Sequence, residues 1–329
     1  MWFSCRNDGV PWAAVRLQNK EREVGSFTLP PPSVAWSKQT PNQHRRLNGY
    51  LVLSRWQRQI ATITVTVLLR QAENVTIMKN TVILTHGWTG SSVFAGLMQR
   101  AGAWLGDETF IKPDYDTFEN AELVRINNEL LERFAVGLNH EHEFTNLHVQ
   151  QITERALASD LKPLREFMTQ CGQHSPWLWK DPRLTWTIRV WAEVMDLPST
   201  RFVVLTREPV QAWITANLRR HVQSMAFTKA YNGGITHSNI QFLQQRGLAY
   251  LPLSFEDLLI EPETTLQRLN QHLESELQMV DLKAVCRLPL GKRSRGTVDF
   301  FKAAAIYAKN YGERDGRARL GSRAAGRQQ

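Results

Sequence analysis

The sequence predicts an α/β fold with a mostly parallel central sheet held between layers of helices. Three observations carry this expectation. The apolar, β-branched run at 81–85 and the apolar runs at 201–206 and 250–254 have the length of buried strands. Each passes through a short turn into a helical pattern, the repeating unit of a parallel sheet. Pro182 and Pro209 stand where first helical turns begin, and there a missing N–H costs nothing. At 329 residues the chain is long enough to bury a substantial core.

Read in order, residues 1–77 differ from the rest. Pro30-Pro31-Pro32, scattered tryptophans and basic side chains show no sustained period. Met78 directly precedes the first core strand, so translation is expected to start there, with 1–77 a poorly ordered extension. The strand Thr81-Val82-Ile83-Leu84-Thr85 follows, then His86-Gly87-Trp88-Thr89-Gly90-Ser91-Ser92 and a helix carrying Val93 and Leu97. Residues 106–120 read as an acidic loop, feeding a helix with Leu123, Ile126, Leu130, Leu131 and Phe134 on one side. That loop either borders a pocket or supplies helix-capping acids. Helices are expected over 157–168 and 184–195, the second preceded by Trp177-Leu178-Trp179-Lys180-Asp181-Pro182-Arg183. The strand at 201–206 ends in Arg207-Glu208-Pro209 and a helix over 210–220 presents Thr215. A last strand at 250–254 runs into Phe255-Glu256-Asp257-Leu258, and Leu266, Leu269, Leu273, Leu277 and Val280 read as one helix face. The domain is expected to span 78–311, and the Arg-, Gly- and Ala-rich tail 312–329 to be mobile.

Strand, small-residue loop and helix together make a phosphate cradle, because main-chain N–H groups and the helix dipole both favour an anion. The loop lacks the lysine of a nucleotide-triphosphate P-loop, G-x-x-x-x-G-K-S/T; Ser91 stands in its place. His86-Gly87 after a strand also fits the oxyanion loop of an α/β-hydrolase, but the chain contains no G-x-S-x-G nucleophile elbow. A tight turn without a ligand is the plain alternative. Lys180 is either a site cation or a surface partner of Asp181. Arg207 can fork two donors onto an anionic oxygen, or simply pair with Glu208 while Thr215 lies on a helix surface. The segment Gly291-Lys292-Arg293-Ser294-Arg295-Gly296 reads as basic and structureless.

Taken together, four segments between about 78 and 280 resemble the sulfotransferase family that uses 3′-phosphoadenylyl sulfate (PAPS). Thr89-Gly90-Ser91-Ser92 are similar to the S-G-T-S part of its 5′-phosphosulfate loop, and Arg207-Glu208-Pro209 with Thr215 to its 3′-phosphate element. Lys180-Asp181-Pro182-Arg183 and Phe255-Glu256-Asp257-Leu258 match two further segments. The resemblance implies a P-loop-like three-layer α/β/α fold of the bacterial type. It also implies a metal-independent transfer of a sulfuryl group from PAPS to a hydroxyl or amine. Gly87, Trp88, Thr89, Gly90, Ser91, Ser92, Arg207 and Thr215 would hold the nucleotide and Lys180 would stabilise the sulfuryl oxygens. Glu119 is the favoured base, with Glu108 and Asp116 behind it. One departure matters: Trp88 occupies the place of the family's basic loop residue. It admits a catalytically impaired nucleotide-binding relative as the alternative, and makes His86 a candidate substitute donor. The 157–168 helix and the stretch 227–242 are expected to wall the acceptor.

The charge of +9 is unevenly spread. Residues 1–78 carry 10 basic against 4 acidic side chains and 287–329 carry 11 against 3, whereas 79–286 carry 19 against 24. A mildly acidic core gives nucleic-acid binding little support. Cys5, Cys171 and Cys286 are odd in number and lack metal-ligand spacing, which suits a reducing cytoplasm. No run of about 18 apolar residues marks a membrane span, so a soluble enzyme is expected.

Overall fold

The computed structural model describes residues 78–112 and 115–310. The expectations for 1–77 and for the tail 312–329 lie outside the described residues. In chain order the elements are β1 (Asn80–Thr85), α1 (Ser91–Arg100), β2 (Thr109–Lys112), β3 (Tyr115–Asn120), α2 (Ala121–Phe134), α3 (Asn146–Leu157) and α4 (Lys162–Gly172). There follow β4 (Leu178–Lys180), α5 (Leu184–Trp191), β5 (Thr200–Thr206), α6 (Pro209–Leu218), α7 (Met225–Gln245) and β6 (Tyr250–Ser254). The order closes with α8 (Phe255–Ile260), α9 (Pro262–Leu273), α10 (Met279–Val285) and α11 (Thr297–Lys309).

Strands pair in the order β4-β1-β5-β6, and every pairing is parallel. Ile83 lies level with Lys180 and Val203, and Thr206 with Ser254. All four strands therefore stop at one edge. Side chains alternate across the sheet: Val82, Leu84, Trp179, Phe202 and Val204 face a core completed by α2 to α5 and α7. Ile83, Leu178, Val203, Leu205 and Leu253 face the other, completed by α1, α8, α9 and α10. Both faces are dry, which is why these strands read as continuous apolar runs rather than alternating ones. The result is the three-layer α/β/α arrangement the sequence predicts. Among the described residues no helix is long and apolar enough to cross a membrane.

Three local expectations are corrected. The 109–120 segment is an antiparallel hairpin rather than a loop, with a register shift between Thr109 and Ile111. Acidic side chains disguise its strand character: Asp116 accepts the Thr109 hydroxyl at 2.9 Å and the Phe118 N–H at 2.7 Å, so its charge serves the hairpin itself. The helix expected over 157–168 is two helices. α3 ends at Leu157, Asp160 accepts the Lys162 N–H at 2.8 Å, and α4 restarts with a proline in its first turn. The single apolar face from Leu266 to Val280 is also interrupted. Glu274 turns left-handed after Leu273, Leu277 is buried from the connection, and Val280 on α10 is 62% exposed.

One buried polar hub ties α2, β4 and α5 together. Asn127 donates to Asp181 at 2.9 Å and accepts the Thr187 hydroxyl and the Trp191 indole N–H, each at 2.8 Å. Replacing Asn127 with Leu removes all three bonds at once inside a dry core. A loss of about 3–4 kcal/mol is expected from the groups left unpaired, read as a lowered urea midpoint with unchanged slope.

Candidate active site

The loop after β1 is held by its own side chains. The Thr85 and Thr89 hydroxyls meet at 2.6 Å, and that of Thr85 also donates to the Leu205 carbonyl at 3.0 Å on the neighbouring strand. Thr89 is fully buried, with the His86 carbonyl 3.3 Å from its hydroxyl, so that hydroxyl braces the loop. Two residues adopt left-handed backbone, Trp88 at φ 66° and Gly90 at φ 72°. Gly90 is required on a second ground: a Cβ there would stand 2.5 Å from the Phe255 ring. α1 then starts at Ser91 with no side-chain cap on its first N–H groups. An uncapped helix start behind a tight loop is a ready anion site.

Lys180, the last residue of β4, is 1% exposed, which excludes the surface reading. Its ammonium donates to the Thr117 carbonyl at 2.6 Å and to Glu119 at 2.8 Å. The partner is thus the carboxylate on β3 and not Asp181. Asp181 instead receives Arg183 at 2.8 Å, and Arg183 lies 3.9 Å from the second oxygen of Glu119. The hairpin that sequence reading missed is what carries Glu119 to the end of β4. The other two acids considered as bases lie elsewhere: Asp116 is occupied within the hairpin, and Glu108 lines a separate cleft with Trp104 and Arg125.

Arg207 follows β5 and is also buried. Its guanidinium donates to the Trp88 carbonyl at 2.7 Å, to Ser294, and at 3.4 Å to Glu256, and lies 5.2 Å from the Phe255 ring centre. Burial pulls its pKa down to about 10, with Glu256 opposing and Arg295 adding to the shift; it stays a cation at neutral pH. Glu208, the neighbour expected to pair with it, instead receives Arg293 at 2.8 Å. Glu256 does the holding, and it is oriented by the Glu208 N–H at 2.9 Å and the Ser254 hydroxyl at 2.9 Å. Thr215, one helical stretch on, is buried, and its hydroxyl has no protein partner.

These groups line one cavity of about 250 Å³. Gly87, Trp88, Thr89, Gly90, Ser91 and Ser92 form one part of its wall, with Glu119, Lys180, Arg207 and Thr215. Arg219 and Arg295 also line it, and sequence reading assigned neither. The 291–296 segment is not structureless. Gln211 on α6 accepts the Arg295 N–H at 2.9 Å and the Ser294 hydroxyl at 3.0 Å, which lays the segment against Arg207. Its run of basic residues beside glycines was the available signal, without anything local to say where it docks. Four cations face one carboxylate in this cavity, so a polyanion is the ligand its charge favours. Among the described residues no group of three or more His, Cys, Asp or Glu is placed to hold a metal ion.

The model of the Sulfotransferase family matches residues 89–279, and the chain belongs to that family. Among solved structures it is similar to the sulfotransferase domain of the Synechococcus PCC 7002 olefin synthase, at 15% identity and a TM-score of 0.38 over 70% of this chain and 94% of that one. A sulfotransferase domain from the curacin biosynthetic pathway matches at 16% identity and a TM-score of 0.40, covering 68% and 82% of the two chains. Sulfotransferase STF9 from Mycobacterium avium matches at 12% and 0.36, covering 74% and 79%. No curated protein matches the chain by sequence.

His86, the first residue after β1, is buried and does not line this cavity; its Nδ1 lies 2.7 Å from the Gly87 carbonyl. Burial, with Arg207 adding, lowers its pKa to about 4 although the bond to Gly87 opposes the shift, so the folded protein keeps it neutral. The unfolded chain protonates it below about pH 6.5. Its contribution to stability is therefore complete above pH 6.5 and lost as pH falls towards 4, by about 3 kcal/mol in all. Urea unfolding at pH 7 and pH 4.5 should show a smaller difference for His86→Asn than for the parent protein.

Proposed function

We propose that this chain moves a sulfuryl group from PAPS to a hydroxyl or amine acceptor. One observation carries the reading: a single cationic cavity has an uncapped helix start at one part of its wall and, at another, a buried guanidinium beside an unpartnered threonine hydroxyl. An adenine nucleotide phosphorylated at both ribose ends answers that distribution. The main-chain N–H groups of 87–92, with the Ser91 and Ser92 hydroxyls, would hold the 5′-phosphosulfate. Thr89 would contribute through its main chain, its hydroxyl being engaged with Thr85. Arg207 and Thr215 would hold the 3′-phosphate, and Arg295 adds a cation in the same wall.

In this reading the acceptor oxygen or nitrogen attacks sulfur as the bond to the bridging phosphate oxygen breaks, and adenosine 3′,5′-bisphosphate departs with the electron pair. Glu119 takes the acceptor proton. Lys180 stabilises charge on the sulfuryl and bridging oxygens, a contribution typically worth about 3–4 kcal/mol for a preorganised donor. The 2.8 Å ion pair gives each group a second duty. Each positions the other, and the pair weakens as Glu119 takes the acceptor's proton, which frees the ammonium for the departing oxygen.

Trp88 favours a second reading, a family relative that binds the nucleotide without transfer. Its ring packs on His221 at 4.7 Å instead of offering a cation to the loop. Turnover with PAPS separates the two, since only the enzyme releases bisphosphate in step with a sulfated product.

Arg207→Ala should weaken adenosine 3′,5′-bisphosphate by about 100-fold and AMP by less than about 3-fold in calorimetric titrations. Equal losses would contradict the 3′-phosphate assignment. Lys180→Met keeps the buried stem and removes the charge. It should lower kcat by about 10²–10³-fold with bisphosphate affinity changed by less than about 3-fold; a collapse of affinity would make Lys180 a binding group.

A further inference from the structure

The last helix, α11 (Thr297–Lys309), carries apolar side chains on two opposite faces. Phe300, Ala303 and Tyr307, at i, i+3 and i+7, form the inner one. Ala303 is fully buried, and the Phe300 and Tyr307 rings lie 5.6 and 6.3 Å from that of Trp213 on α6. That stripe docks the helix. Val298, Phe301, Ala305 and Ala308 repeat at i, i+3, i+7 and i+10, which puts all four on one outward stripe. Val298 is 67% and Phe301 65% exposed, and both alanines are exposed. The solvent face of a surface helix is ordinarily polar; this one is not.

Cations border this stripe. Lys302 and Lys309 each follow one of its members, so helical periodicity sets both on the same flank. Both are exposed, and among the described residues neither pairs with an acid. Asp299, the one acid of α11, lies 3.9 Å from Arg295 and is offset by it. Across 287–329 basic side chains outnumber acidic ones 11 to 3. An apolar stripe edged by uncompensated cations suits a helix lying on an anionic bilayer. Lysine stems can follow the apolar layer while their ammonium groups reach headgroup phosphates. A second copy of the chain would bring the same cations to the face, and like charges oppose that pairing. Nucleic acid would leave the apolar stripe without a partner.

We propose that α11 is a membrane-surface contact, its outward stripe seated in the interface of a bilayer that carries anionic lipid. With 13 residues the helix is too short to span a bilayer and lies along one. Val298 and Phe301 enter the acyl boundary, and Lys302 and Lys309 meet the headgroup phosphates. The helix starts two residues after Arg295, which lines the cationic cavity, so docking brings that cavity towards the membrane. The contact is independent of the chemistry performed there.

Co-sedimentation of the full chain with lipid vesicles tests it. Phosphatidylcholine vesicles containing about one third phosphatidylserine should bind the protein at least about 10-fold more tightly than phosphatidylcholine alone, and added salt should weaken that binding. Val298→Ser combined with Phe301→Ser is nearly neutral in helix propensity. It should lower affinity for the anionic vesicles by about 10-fold or more while moving the thermal midpoint by less than about 2 °C. Lys302→Gln combined with Lys309→Gln leaves the apolar stripe intact and should lower the same affinity by about 5–10-fold. Absence of vesicle binding, equal binding to both compositions, or undiminished binding by either double variant overturns the proposal. Sedimentation velocity without lipid reads the rival occupant: a dimer that the Val298 and Phe301 changes disperse would mean that a second copy covers the stripe, and overturns it as well.

Discussion

The parallel alignment of β4, β1, β5 and β6 is the constraint on which the rest of this structure depends. With both sheet faces largely buried, few polar side chains within the strands reach water; Arg201, near the start of β5, is one that does. Functional polar groups gather where the strands stop, and parallel pairing makes them stop together. Thr85, Lys180, Thr206 and Ser254 end their strands at one edge, and the loops that follow carry the phosphate-type loop, Asp181, Arg207 and Glu256. Ligand sites in open parallel sheets lie at such edges for this reason.

Concentrating charge there creates a desolvation problem that the structure solves by pairing. Lys180 and Arg207 are among its most deeply buried cations, and each has a buried carboxylate, Glu119 and Glu256 respectively. Such pairs do not by themselves stabilise a fold, since removing charges from water costs about as much as their attraction returns. Their value is positional. Glu256, set by the Ser254 hydroxyl and the Glu208 N–H, aims Arg207 at the Trp88 carbonyl, so the guanidinium and the loop are placed by one network. Phe255 completes it, fitting under Arg207 and against the one loop position that tolerates no Cβ.

The proposed chemistry uses the asymmetry this leaves behind. Cations outnumber acids in the lining of the first cavity, which meets a second at Gly87 and Pro182. A polyanionic donor would be drawn to that cationic cavity. Selection by charge in this way needs no moving part.

Much of this was legible in the sequence because it is encoded locally. Runs of β-branched residues, prolines at helix starts and a glycine and hydroxyl loop state their own conformations, and the residues at 87–92, 180, 207 and 215 do line one cavity. What sequence could not decide is pairing across long separations. Lys180 chose Glu119 over adjacent Asp181, and Arg207 chose Glu256 over adjacent Glu208, because strand register and not chain proximity sets which buried charges meet. The hairpin of β2 and β3 hid behind its acids, of which Asp116 is engaged within the hairpin and Glu119 by β4. Arg295 looked like part of a loose basic run until Gln211, 84 residues away in sequence, held it. Local conformation follows from each residue's own sterics and hydrogen bonding; partnership between distant charges follows only from which strands and helices pack together.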